Sequence, residues 1–138
     1  LGIWLRDLDP LALADLDAMP PVDLPQLRCE GLADDVADAF AALSAPAWLQ
    51  RDAADLVRTF AGLTGLRRVA VKLDPVATDA CRKLHHDQLP LRMLCVYRGR
   101  GTQFLPPAHE ARIGGERIDV DDRLLETVPR GAVMLFTG

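Results

Sequence analysis

The chain has 138 residues, 49% of them hydrophobic but only 5% aromatic, and a net charge of −4 from 16 basic and 20 acidic residues. That length suits one domain with a core built mainly from Leu, Val and Ala. There is no basic stripe with interleaved aromatics to engage nucleic acid, and no apolar run near the roughly 20 residues needed to cross a bilayer.

Asp9-Pro10 is a helix start, with Asp able to cap and Pro suited to the first turn; Leu11, Leu13 and Leu16 then predict a helix over about 10–17. Pro20, Pro21 and Pro25 predict an extended linker. Leu32, Val36, Phe40 and Leu43 recur at helical spacing and predict an amphipathic helix over 32–43, broken by Pro46. Leu49, Ala53, Leu56, Val57, Phe60 and Leu63 form a second stripe, ended by Gly65. The period then changes. Val69, Val71 and Leu73 alternate with Arg68, Ala70 and Lys72, which predicts a half-buried strand closed by Asp74-Pro75. Residues 84–88 read as a short strand and 91–97 as another. Gly99 and Gly101 mark a turn before a strand over 102–105. Gly114-Gly115 predicts a hairpin between 111–113 and 116–120, Pro129-Arg130-Gly131 a turn, and Ala132 to Phe136 a last strand. Helices followed by short strands predict an α+β fold, with N-terminal helices (1–65) packed on a sandwich or jelly roll (66–138) in a single domain.

Cys29, Cys81 and Cys95 are odd in number and include no C-x-x-C pair, so they argue against a disulfide framework and for a reducing cytoplasm. No secretory leader pattern opens the chain. A start at Leu1 and a stop at Gly138, straight after a strand-like run, read as part of a longer polypeptide.

The candidate site is His85-x-Asp87. On a strand the two side chains share a face, about 6.6 Å apart along the chain, and can converge on one divalent metal. They are two-thirds of the two-histidine, one-carboxylate triad of non-haem iron. Near pH 7 the imidazole is available neutral and the carboxylate ionised, as a metal requires. The bland alternative is a histidine hydrogen-bonded to a carboxylate at a strand end. His86 faces the other way on a strand, and a register slip of one residue would exchange it with His85. His109 sits in a Pro-rich stretch expected to be an exposed loop. Cys81, four before His85, would share its face on a helix, so Cys81, His85, Asp87 and Cys95 form an alternative zinc set, ranked lower for want of paired cysteines. Cys95 itself reads as a small buried hydrophobe. Arg92, Tyr97 and Arg98 are candidates to bind an acidic cosubstrate, since an arginine fork suits a carboxylate. Gly99-x-Gly101 precedes a strand and not a helix, which excludes a phosphate loop. Asp119-Val120-Asp121-Asp122 lacks the glycine and terminal glutamate of a calcium loop.

The order of His85-x-Asp87, then Tyr97, Gly99, Gly101, Thr102 and Phe104, then Pro129 to Phe136 resembles the double-stranded β-helix of the iron- and 2-oxoglutarate-dependent oxygenases. Nearly the whole chain also resembles the bacterial family catalogued as domain of unknown function 1826. The resemblance is carried by Gly2-Ile3-Trp4, Cys81-Arg82-Lys83-x-His85-x-Asp87, Leu91-Arg92-x-Leu94-Cys95-x-Tyr97-Arg98-Gly99-x-Gly101-Thr102 and Val128-Pro129-Arg130-Gly131-Ala132-Val133. It departs from the pattern at Leu84, where Phe is expected, at His86, where an aliphatic residue is expected, and at Gln103-Phe104, where Glu-Trp is expected. The resemblance implies a cupin-like jelly roll, Fe(II) with 2-oxoglutarate, and a third ligand from a His-Arg pair beyond Gly138. Its association with zinc homeostasis implies an alternative, a non-enzymatic protein holding Zn(II). Neither resemblance implies a substrate.

Overall fold

The computed structural model describes residues 1–77, 90–110 and 121–137. Their elements in chain order are β1 (Gly2–Trp4), α1 (Pro10–Ala18), β2 (Leu27–Leu32), α2 (Ala33–Ala39), α3 (Ala47–Thr64), β3 (Arg68–Leu73), β4 (Arg92–Cys95), β5 (Thr102–Phe104), α4 (Pro107–Glu110), β6 (Glu126–Val128) and β7 (Val133–Phe136). This is a mixed α+β fold with small antiparallel sheets, and the described residues form no closed barrel. Among them no helix is long and apolar enough to cross a membrane. The predicted hairpin at 111–120 and the predicted strand at 84–88 lie outside the described residues.

Two compact units divide the chain, one of Ala14–Ala77 and one of Leu1–Leu13 with Thr78–Gly138. The helices therefore keep β3 in their own unit. Asp9 starts α1 as expected, its carboxylate accepting from the Leu11 N–H at 3.0 Å.

In the Ala14–Ala77 unit the proline-rich stretch is a single 3-10 turn, Pro21–Asp23, and not a plain linker. It leads into β2, a strand the apolar pattern did not announce. β2 pairs antiparallel with β3 from Leu27↔Leu73 to Leu32↔Arg68. α2 stops at Ala39, and a 3-10 turn, Phe40–Ala42, completes the predicted helical stretch. α3 runs on from Pro46 and ends at Gly65, whose φ of +70° and N–H to the Ala61 carbonyl (2.9 Å) make a left-handed cap. The stripes of α2 and α3 meet over the inner face of the ribbon. Val36, Ala37, Phe40, Ala53, Ala54, Val57 and Val69 form the core, flanked by Leu27, Cys29, Val71 and Leu73. At the surface Arg58 bonds Asp38 at 2.8 Å and lies 3.7 Å from Asp34, tying α3 to α2. These groups are exposed, so the pairs contribute little beyond orientation.

The other unit is built on a three-stranded sheet in the order β1-β7-β4. β7 is central, with Ile3↔Met134 on one side and Leu94↔Met134 on the other. β5 and β6 pair from Thr102↔Val128 to Phe104↔Glu126. Pairing is nested: β4–β7 encloses β5–β6. Val128, Ala132 and Met134 are buried, with Leu94, Phe104 and Phe136 against them. Asp121 caps the 3-10 turn Asp122–Leu124, and its side-chain bond from Arg123 holds the carboxyl below the usual carboxylate range. Asp121 thus serves the local turn.

Candidate functional site

His85 and Asp87, with His86 and Cys81, lie outside the described residues. Among the described residues no group of three or more His, Cys, Asp or Glu side chains could hold a metal ion. The structure does describe the strand and turns that follow the His85-x-Asp87 segment, beginning three residues after Asp87.

β4 starts at Arg92, and its register with β7 sets Arg92 opposite Phe136 and Cys95 opposite Val133. Arg92 and Leu94 share one face of the strand, and Met93 and Cys95 share the other. Past β4 the chain bends around the turn that precedes β7. The Gly131 N–H donates to the Val96 carbonyl at 2.8 Å. Tyr97 is buried, and its carbonyl accepts from Arg130 Nε at 2.8 Å. Arg130 Nη2 also donates to the Leu13 carbonyl at 2.8 Å. Arg98 follows in the bend, half-buried. None of Arg92, Tyr97 and Arg98 is without a partner.

Two glycines make this bend possible. Gly99 and Gly101 have φ of +93° and +96°, in the left-handed region that favours glycine. A Cβ on Gly101 would stand 2.0 Å from the Val128 carbonyl oxygen, so the two backbones touch here.

Arg6, which the sequence pattern did not single out, is the second clamp. Its Nε donates to the Gly131 carbonyl at 2.9 Å and its Nη2 to Cys95 Sγ at 3.3 Å. Its guanidinium also lies 5.4 Å from the centre of the Trp4 ring. Cys95 is thus half-buried and hydrogen-bonded, not the inert buried hydrophobe expected, and its Sγ lies 3.6 Å from the Gly131 carbonyl. Arg6 and Arg130 carry no local sequence signal because each bonds a carbonyl more than 100 residues away. His109 also differs from expectation: it is half-buried in α4, its N–H bonded to the Pro106 carbonyl at 2.8 Å.

No curated protein and no solved structure matches the chain. The family model described as Protein of unknown function (DUF1826) matches residues 1–138, and the chain, with its β4–β7 sheet and clamped Pro129–Gly131 turn, belongs to that family.

Proposed function

We propose that the chain is a non-haem metal protein of the iron- and 2-oxoglutarate-dependent oxygenase type, with His85 and Asp87 as its metal ligands and a jelly-roll scaffold. The observation that supports this is the nested pairing of β4–β7 around β5–β6. Such nested antiparallel pairing is the kind of unit from which jelly rolls are made. It also sets Phe136, near the end of β7, beside Arg92, five residues after Asp87.

An imidazole and a carboxylate suit a divalent first-row ion, so the donor set fits Fe(II) and accepts Zn(II). Such a centre, when bound, would supply splitting of O2, one oxygen atom entering a substrate C–H bond and the other converting 2-oxoglutarate to succinate and CO2. The chain's own part is to hold the ion with His85 and Asp87 and to orient the cosubstrate. Arg92 or Arg98 would fork a cosubstrate carboxylate, and Tyr97 would wall the pocket. The substrate is a small molecule or a protein.

Isothermal titration of the full-length protein with Ni(II), as an oxygen-stable surrogate, tests the ligands. About one equivalent should bind, and His85→Ala or Asp87→Ala should each abolish binding while the circular dichroism spectrum stays unchanged. Unchanged binding in both variants would remove the assignment. Binding without Fe(II)-dependent consumption of 2-oxoglutarate would favour the zinc-homeostasis alternative.

A further inference from the structure

The outer face of the β2–β3 ribbon carries Arg28, Glu30, Leu32, Arg68, Ala70 and Lys72, all exposed, while the inner face packs on α2 and α3. The register sets Arg28 directly opposite Lys72 and Leu32 opposite Arg68. Like charges directly opposite destabilise an antiparallel pair, so this arrangement has a cost within the fold. Asp74 pairs with Lys72, but among the described residues no carboxylate pairs with Arg28 or Arg68. On the helical side of the same unit, Asp34, Asp38 and Asp55 surround Arg58. A protein of net charge −4 thus keeps a separate basic face.

We infer that this face docks an extended acidic segment of a protein partner. Arg68 and Lys72 are four residues apart on one strand, about 13 Å, and Arg28 stands about 5 Å across from Lys72. Carboxylates four residues apart on an extended chain also stand about 13 Å apart on one face and reach both ends of that array, with the residue midway between them over Ala70. Between them the small Ala70 leaves a shallow depression of about 250 Å³, bordered by Glu30, Gly31 and Arg68, with room for a small side chain. A nucleic acid fits less well. Glu30 stands in the middle of the face where phosphates would pass, and no aromatic residue is there for a base to stack on.

The test is fluorescence anisotropy of a labelled peptide with Glu at every fourth position and Ala elsewhere, titrated with the full chain at low ionic strength. Saturable binding is expected, weakened about tenfold or more by Arg28→Glu with Arg68→Glu and left unchanged by Arg51→Glu on α3. Arg28→Glu alone should melt at or above the parent temperature, because it faces Lys72 with an opposite charge. The neutral pair Arg28→Gln with Arg68→Gln gives the same comparison should the reversal fail to fold. Equal affinity of parent, face variants and control overturns the inference, as does tighter, face-dependent binding of a duplex DNA probe.

Discussion

Gly101→Ala is expected to destabilise its unit by about 3 kcal/mol or more, read as a shifted denaturant midpoint, whereas Gly99→Ala should cost only about 1–2 kcal/mol. Both glycines have positive φ, so both substitutions carry the left-handed penalty. The difference is what the new methyl meets. At Gly99 there is nothing within 4 Å; at Gly101 the Cβ would lie 2.0 Å from the Val128 carbonyl oxygen and 3.4 Å from the Arg130 nitrogen. That obstacle is backbone, and it cannot swing aside as a side chain would. Relief requires β5 to part from β6 at Thr102↔Val128, or the Pro129–Gly131 turn to leave Val96. Both routes break hydrogen bonds that organise the bend after Tyr97. Equal effects of the two substitutions would contradict the close approach.

Phe40→Ala is the second large effect, an expected loss of about 3–5 kcal/mol from the transfer of a large side chain and the cavity left behind. Phe40 is 2% exposed and sits in the turn after α2, among Val36, Ala53, Val57 and Val69. A unit as small as Ala14–Ala77 has a core worth only about 3–5 kcal/mol in net stability, so the loss matches the whole. The variant should lose much of its helical circular dichroism at 25 °C. Phe40→Leu, which keeps most of the volume, should retain it. A cooperative transition close to that of the parent in Phe40→Ala would show that Phe40 does not hold the helices to the ribbon.

Much of the fold can be read from residue pattern, and the exceptions have physical causes. α3 was plain because its stripe repeats over four turns and Gly65 stops it. β3 was plain because Val69, Val71 and Leu73 alternate with residues that face solvent. β2 has the same alternation, but its inward positions are Leu27, Cys29 and Gly31, and a glycine contributes no apolar side chain to the pattern. β1 is exposed at all three residues, so no alternation marks it, and only the family resemblance drew attention to Gly2-Ile3-Trp4. At the site, the bend of Gly99 and Gly101 and the turn at Gly131 were legible as glycine punctuation. The clamps were not. Arg6 and Arg130 act on carbonyls distant in sequence, and side-chain-to-backbone bonds of that range leave no periodic trace. His85 and Asp87, outside the described residues, stand on the sequence pattern alone.

We propose His85 and Asp87, and no cysteine, among the metal ligands. X-ray absorption at the zinc edge of the Zn(II)-loaded full-length protein decides this. Nitrogen and oxygen donors at about 2.0–2.2 Å are expected, with the zinc lost from His85→Ala. A sulfur shell at about 2.3 Å would contradict it, as would a chain that retains no zinc after gel filtration.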